Sequence, residues 1–175
     1  GSPVIGIDLG SMFARVALPR SGTIEVIEND HGHRSTPCCV GFTETAILVG
    51  DDAAREFMIN PSNTVLYAMR YLHHKVGDAA IQDDTMLVPF KLTSFGNKIC
   101  FEVQYSGNSA TLMPQAILTI VITRLKEMAE ARLGTRVNHA VICIPIMFTA
   151  AQRLEIHDAA ANAGLTVERT ICGAT

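Results

Sequence analysis

Residues 4–28, VIGIDLGSMFARVALPRSGTIEVIE, set the architecture of the chain. They contain three short apolar or alternating runs, at 4–9, 14–18 and 23–28, separated by Gly10-Ser11 and Ser21-Gly22. Short runs of this kind between glycine-containing breaks are typical of strands. Because the breaks are so short, consecutive strands can only pair in opposite directions, and the sequence predicts a three-stranded antiparallel meander.

The last third of the chain predicts a strand, a helix and a returning strand. Residues 140–144 are apolar without interruption inside a predicted strand at 137–144, which we expect to be buried on both faces. Thr149-Ala150-Ala151-Gln152 is a capping-box sequence that begins a helix lasting to Ala163. Residues 165–171 form the returning strand, and this order of elements predicts two parallel strands joined by a right-handed crossover.

The residues between these two parts predict a smaller unit of mixed structure. Strands are expected at 38–42 and 46–49, helices at 51–58 and 63–75, and further strand structure across 89–112. A long amphipathic helix follows from Pro114 to Leu133, with Gly134 as its C-cap. The predicted fold class is therefore α/β, a mixed sheet flanked by helices with a smaller α+β unit beside it.

Composition excludes several classes of protein. The 175 residues are 48% hydrophobic and 18% charged, which excludes a disordered chain, and their number excludes a whole multidomain enzyme. No apolar run approaches the roughly 18 residues of a membrane helix, so we expect a soluble protein. The formal charge of −3, without a Lys/Arg cluster, predicts neither a nucleic acid nor a membrane surface as partner.

Three sets of side chains are interpreted as structural. The five Cys include the adjacent pair Cys38-Cys39 and no C-x-x-C, which argues against a disulfide framework or a zinc site and favours a reducing, cytoplasmic location. The pairs His31/His33 and His73/His74 lack a third ligand at metal spacing, so we expect solvated polar positions. Methionines are expected to fill the core, at positions 58, 69, 86, 113, 128 and 147.

The turn Asp8-Leu9-Gly10-Ser11 is the clearest candidate for chemistry. A carboxylate at a strand end is suited to hold a hydrated Mg²⁺, and a glycine bend lets backbone N–H groups approach an anion. The pattern is short, and the alternative is a structural turn in which Asp8 accepts bonds from local N–H groups.

Longer segments, taken in chain order, carry a resemblance to a known family. They are VIGIDLG at 4–10, ENDHGHRSTP at 28–37, VGDDAA at 49–54, NPSNTV at 60–65 and KEMAEA at 126–131, with Leu133-Gly134, Ala140-Val141 and Gln152-Arg153. In this order they resemble the Hsp70 chaperones. Sugar kinases and other actin-fold relatives share the Asp-x-Gly turn but not the second segment.

The resemblance implies a fold and a place in a larger protein. Residues 3–175 would form the first lobe of an actin-like (ribonuclease H-like) ATPase domain. The core subdomain would comprise about 3–29 and 113–175, and the peripheral subdomain about 30–112. A second lobe and a peptide-binding domain would lie outside this chain. Since most adenine and ribose contacts belong to the second lobe, the isolated fragment should bind nucleotide poorly and be inactive.

The resemblance also implies cofactors and partners. ATP or ADP with Mg²⁺ would bind in the cleft between the lobes, with Asp8 holding the metal through water and the phosphates beside Gly10, Ser11, Met12 and Phe13. Partners of such a stress-response chaperone would be unfolded client peptides, J-domain proteins and nucleotide-exchange co-chaperones. Pro145 and Arg153 match the family residues that signal between its nucleotide and peptide domains. For Pro145, the alternative is that it only ends a strand.

Three departures from the family concern the catalytic site. The family has two Thr after the glycine, whereas here Ser11 is followed by Met12, whose thioether cannot donate a hydrogen bond. Met69 stands at the position of the catalytic Lys, and Gly173 at the position of a Glu that organises metal and water. Losing a positioned cation removes stabilisation of the transition state in phosphoryl transfer.

Two functions therefore remain open. One is an Hsp70-type chaperone that binds ATP and hydrolyses it slowly. The other is a catalytically inactive relative that acts as a regulatory or protein-interaction module.

Overall fold

In the computed structural model, residues 1–173 are described and contain four α-helices: α1 (Asp51–Glu56), α2 (Asp84–Leu87), α3 (Pro114–Leu133) and α4 (Ala150–Asn162). The strands of the described residues are β1 (Val4–Leu9), β2 (Phe13–Arg20), β3 (Thr23–Val26), β4 (Thr36–Pro37), β5 (Cys39–Phe42), β6 (Ile47–Val49), β7 (Thr64–Leu66), β8 (Lys91–Phe95), β9 (Lys98–Tyr105), β10 (Asn108–Leu112), β11 (His139–Pro145) and β12 (Thr166–Gly173).

The largest sheet is mixed, as the sequence predicts. Its strand order is β12-β11-β1-β2-β3, with β4 paired to β2. The meander β1–β2–β3 is antiparallel, whereas β1, β11 and β12 run parallel to one another. Helix α4 connects β11 to β12, so the predicted crossover unit and the mixed α/β fold class are both confirmed.

Alternation along the central strands separates a buried face from an open one. On β1, Ile5, Ile7 and Leu9 are at most 1% exposed, while Asp8 between them is exposed. The buried face packs in one core with α3, and full burial of each such side chain is worth about 1.5–3 kcal/mol. Strand β11 was expected to be buried on both faces, but Val141 and Cys143 are only partly buried because they lie on the open face.

Helix caps follow the sequence closely. Pro114 occupies the first turn of α3, and Gly134 ends the helix in the left-handed conformation, its amide donating to the Glu130 carbonyl at 2.8 Å. At α4, Thr149 and Gln152 form the predicted capping box in both directions.

The intervening residues form two smaller sheets, β6-β5-β7 and β10-β9-β8, beside the main one. The predicted helix at 63–75 is wrong. Thr64–Leu66 pair with β5, Tyr67 adopts a left-handed backbone (φ 58°), and Ala68–Tyr71 form a short 3-10 helix. The β-branched Thr64 and Val65 are fully buried in this pairing, and their packing outweighs the helical pattern of the segment.

The methionines are only partly core residues. Met69 is 2% exposed and Met128 packs against the core, whereas Met58, Met86 and Met147 are 80%, 89% and 69% exposed. The expectation that all of them fill the core is therefore wrong. No helix within the described residues is long and apolar enough to cross a membrane.

Candidate functional site

The hairpin between β1 and β2 forms the rim of the candidate site. The Gly10 amide donates to the Phe13 carbonyl at 3.0 Å. A Cβ at Gly10 would lie 2.6 Å from that same oxygen, so this turn requires glycine. Within residues 1–173 the amides of Ser11 and Met12 have no protein acceptor, and both residues are exposed. The rim therefore presents backbone donors to solvent.

A cleft of about 360 Å³ opens beside this hairpin. It gathers the carboxyl ends of three parallel strands, β1, β11 and β12, where open α/β sheets place ligands. The lining residues are Asp8, Gly10, Ser11, Met12, Phe13, Arg15, Cys143, Ile144, Pro145 and Gly173. Most of the residues singled out in the sequence thus lie together, although they are up to 165 positions apart in the chain.

Asp8 lies at the end of β1, with about half of its side chain exposed. Its partner across the antiparallel pairing is Arg15 of β2, and Arg15 Nη1 lies 3.4 Å from Asp8 Oδ2. Arg15 was missed in the sequence. The register of the hairpin could have indicated Arg15 as a neighbour of Asp8, because residues opposite each other on neighbouring strands lie on the same face of the sheet.

Gly173 pairs with Pro145 at the end of β12. A Cβ at Gly173 would lie 2.7 Å from Cys143 Sγ, so the thiol occupies the space that a side chain at this position needs. Burial raises the pKa of Cys143, and the neighbouring Asp8 raises it further. Ala174 and Thr175, which follow Gly173 in the sequence, lie outside the described residues.

Met69 does not line this cleft, because its side chain is buried in the core at 2% exposure. The adjacent Arg70 is also turned away, since Nε and Nη2 donate to the two oxygens of Asp84 at 2.7 and 2.8 Å. Tyr71 donates to the same carboxylate at 2.7 Å. The hydrogen bond from Arg70 is the main cause that lowers the pKa of Asp84, with Tyr71 adding to it. The segment therefore brings no free cation to the cleft.

A second cleft of about 350 Å³ shares Ser11 with the first. Its other lining residues are Tyr67, Arg70, His74, Met147, Phe148 and Gln152. Gln152 also donates to the Leu72 carbonyl at 3.1 Å, which ties the start of α4 to the 3-10 segment. The left-handed Tyr67 turns the chain here, and no local sequence signal indicated that turn.

Pro145 and Arg153 both contact the end of β12. Pro145 is buried and pairs with Gly173, and Arg153 of α4 donates to Cys172 Sγ at 3.4 Å. The two residues thus meet the same strand end from different elements.

The cleft is a poor fit for magnesium. Mg²⁺ usually takes one or two carboxylates plus waters and phosphate oxygens. Asp8 is the single carboxylate among the lining residues, and the Arg15 guanidinium already faces it. In residues 1–173, no group of three or more His, Cys, Asp and Glu side chains is arranged to hold a metal ion.

The other candidates have structural partners. His31 Nε2 lies 3.1 Å from Asp52 Oδ1, and His33 Nδ1 lies 3.2 Å from Asp51 Oδ1. Cys38 and Cys39 are buried, and this burial raises the pKa of each thiol to about 12, which leaves them as unreactive thiols at neutral pH.

The chain has a mixed sheet flanked by helices and an Asp-x-Gly hairpin at the carboxyl ends of its parallel strands. These features are those of the class of actin-like ATPase lobes. Comparison with known proteins identifies the family within that class. The family model described as Hsp70 protein matches residues 4–175. The chain belongs to the Hsp70 family.

Individual relatives agree with this assignment. The chain is 41% identical to a heat shock 70 kDa protein of Ajellomyces capsulatus, over 97% of this chain and 24% of the relative. It is 42% identical to the human putative heat shock 70 kDa protein 7, over 98% of this chain and 47% of the relative. It is also 42% identical to a ribosome-associated molecular chaperone of Zygosaccharomyces rouxii, over 95% of this chain and 27% of that protein. The chain therefore spans between about a quarter and a half of the length of these relatives.

Proposed function

We propose that the chain is the first lobe of the nucleotide-binding domain of an Hsp70-type molecular chaperone that binds ATP and hydrolyses it slowly. The observation that carries this proposal is the single cleft shared by the Asp8–Phe13 hairpin, Pro145 and Gly173. Residues 3–29 and 113–175 would be the core subdomain and 30–112 the peripheral one. ATP or ADP would place its phosphates beside Gly10, Ser11, Met12 and Phe13, with Asp8 at the reacting end.

Two positions favour slow or absent hydrolysis. The thioether of Met69 is buried and carries no charge, so the cation expected there is missing. Gly173 carries no carboxylate, and Cys143 Sγ fills the space beside it. A magnesium ion bound through water to Asp8 would have to compete with Arg15.

The second candidate function is a catalytically inactive relative that regulates or binds other proteins. The replacement of the expected cation by the uncharged, buried Met69 favours it, because position 69 then supplies no charge to the cleft. In either case Pro145 and Arg153, which each contact the end of β12, would transmit the nucleotide state to a peptide-binding domain. Client peptides, J-domain proteins, nucleotide-exchange factors and a cytoplasmic location are part of the proposal.

The test is single-turnover hydrolysis of ATP by the full-length protein. We expect a rate at least about 100-fold below that of an Hsp70 relative measured beside it, the loss typical when one charge-stabilising group is removed. A rate equal to that of the relative would contradict the proposal. ATP that binds without turning over would instead select the inactive module.

A reconstruction sharpens this test. The triple variant Met69→Lys, Gly173→Glu, Cys143→Ala restores both charged groups and removes the thiol that would meet the new Glu side chain. We expect hydrolysis to rise if the longer Lys side chain reaches the cleft from the buried position 69, because the cation and the carboxylate that the family resemblance implies are then both present. The matched control is Met58→Lys, which adds the same charge at a methionine that is 80% exposed. A folded triple variant without any gain would mean that the charges lost at positions 69 and 173 are not what limits the rate.

A further inference from the structure

The residue that the family resemblance does not account for is Arg15. On β2, Ala14 and Val16 are buried in the core, so Arg15 between them must lie on the open face. The register pairs it with Asp8, and the same cleft contains both side chains. The candidate phosphate site is therefore lined by one cationic side chain, that of Arg15.

We propose that Arg15 supplies the positive charge that binds a diphosphate group in this cleft, and that the chain binds this group without a divalent cation. The inference rests on the proposed function, because it assigns the phosphate-binding chemistry of the same hairpin. It differs from the expectation for the family, in which the positive charge comes from hydrated Mg²⁺ at Asp8.

The contact between Arg15 and Asp8 leaves the guanidinium available. Only Nη1 approaches the carboxylate, at 3.4 Å, and both side chains are 52% exposed. A guanidinium has five N–H donors in a planar fork, so one edge can remain on Asp8 while the other binds a phosphate oxygen. Asp8 then orients the cation toward the ligand.

Further donors face the same space. The amides of Ser11 and Met12 have no protein acceptor within residues 1–173, and Ser11, which also carries a hydroxyl, lines both clefts. Consecutive backbone N–H groups at a turn favour an anion. Arg15 is the single Lys or Arg among the residues that line the cleft, so a phosphate there has one side-chain cation to meet.

The same arrangement disfavours a dication. An incoming Mg²⁺ would be repelled by Arg15 and would find only Asp8 as a protein ligand among the lining residues. The guanidinium of Arg15 lies 3.4 Å from that carboxylate, so the metal and the guanidinium would compete for the position beside Asp8.

The experiment is a titration of the ¹⁵N-labelled chain with pyrophosphate, once in EDTA and once in excess MgCl₂. We expect saturable shifts of the Ser11 and Met12 amides and of the Arg15 side-chain N–H in EDTA, with an equal or weaker affinity in MgCl₂. Pyrophosphate isolates the phosphate site, because it needs no contact from a second lobe. Binding that requires MgCl₂ would overturn the inference and leave the proposed nucleotide site standing.

Variants assign the effect to Arg15. Arg15→Gln should weaken pyrophosphate binding by at least about tenfold, the usual effect of losing a charge-assisted hydrogen bond. Arg15→Lys should weaken it less, since the charge remains. The matched control is Arg136→Gln, an equal change of charge at an exposed residue that precedes β11, away from the carboxyl end of that strand. Unchanged affinity in folded Arg15→Gln would overturn the inference.

A parallel titration with ADP distinguishes two sources of the diphosphate. Because the adenine and ribose contacts are expected in the second lobe, both ligands are also compared on the full-length protein: tighter binding of ADP than of pyrophosphate there would support a nucleotide as the ligand, and tighter binding of pyrophosphate would support a free polyphosphate. Absence of any saturable shift in EDTA with either probe would overturn the inference. The proposed function is judged separately, by ATP turnover of the full-length protein.

Discussion

Two Arg–Asp pairs, Arg70–Asp84 and Arg15–Asp8, show how differently the same two residue types can be used. Arg70 and Asp84 make two hydrogen bonds of 2.7 and 2.8 Å, and the Asp84 side chain is 7% exposed. Arg15 and Asp8 make one contact of 3.4 Å with both side chains 52% exposed. The first pair is held in place by packing, whereas the second is held only by the strand register.

The difference separates a structural pair from an available one. Asp84 accepts a third bond from Tyr71, whose ring packs edge-on against Phe90 and Phe101. Removing one partner from such a network leaves a charge buried without compensation. Separating the exposed pair costs little free energy, because water replaces the lost partner of each charge. Only the exposed pair can therefore exchange its partner for a ligand.

The largest expected effect is that of Arg70→Met, which leaves the Asp84 carboxylate buried with Tyr71 alone. We expect the free energy of unfolding to fall by about 3 kcal/mol, near the lower end of the range for broken buried pairs because Arg70 is half exposed. Urea unfolding monitored by circular dichroism measures it. The control is Arg70→Met with Asp84→Asn, which removes the uncompensated charge and should recover part of the loss. An Arg70→Met variant as stable as the wild type would erase the distinction between the two pairs.

Acidification should expose the same distinction in the unmodified chain. The pKa of Asp84 is lowered, chiefly by the hydrogen bond from Arg70, so its folded value lies below the unfolded value of about 3.9. Its contribution to stability is therefore complete above the unfolded pKa and is lost as the pH falls through the folded pKa. As the pH falls below the unfolded value, the wild type should therefore lose more stability than Asp84→Asn. Parallel pH curves for the two proteins would contradict this assignment.

Tyr71→Phe tests how much of the network depends on the third bond. The phenol donates to Asp84, and burial together with this carboxylate raises the pKa of Tyr71. Deleting the hydroxyl should cost about 1–2 kcal/mol, since one hydrogen bond to a charged group is lost while the ring packing stays. Thermal unfolding of the variant beside the wild type measures the change. A cost above that of Arg70→Met would mean that the phenol, and not the guanidinium, is the main partner of Asp84.

Arg15→Met should have the smallest effect on stability. The pair with Asp8 is exposed, and exposed ion pairs typically contribute about 0–1 kcal/mol. Urea unfolding at low and high salt is the measurement, and both curves should lie close to those of the wild type. A loss comparable to that of Arg70→Met would show that Arg15 is a structural residue, and its assignment to a ligand would then fail.

Much of the fold could be predicted because its signals are local. The capping box at Thr149 and the glycine that ends α3 are satisfied within one turn of the chain, so their residue types suffice to place the helix ends. The meander β1–β2–β3 follows from its short turns. The segment 63–75 could not be predicted in this way, because β7 depends on β5, which lies more than 20 residues earlier.

The residues of the candidate site likewise divide into those that the sequence indicates and those that depend on tertiary contacts. Asp8, Gly10 and Ser11 were found as a motif, and the residue-by-residue match to the Hsp70 family selected Met69, Pro145, Arg153 and Gly173. The expectation that methionines fill the core holds for Met69, but nothing local distinguished it from the exposed Met58 and Met86, or indicated that Cys143 fills the space beside Gly173. Arg15 needed the pairing of two strands before it could be seen as the neighbour of Asp8.

The order of residues therefore defines the strands and helix ends, the glycine hairpin and the membership of the Hsp70 family, because each depends on neighbours within a few positions or on a direct match of letters. The tertiary structure alone decides which charged groups reach the cleft. Burial keeps Met69 away from it, the hydrogen bonds to Asp84 hold Arg70 away from it, and the strand register places Arg15 inside it. The physical reason is that a side chain's access to a ligand depends on what distant segments pack against it, and no local pattern contains that information.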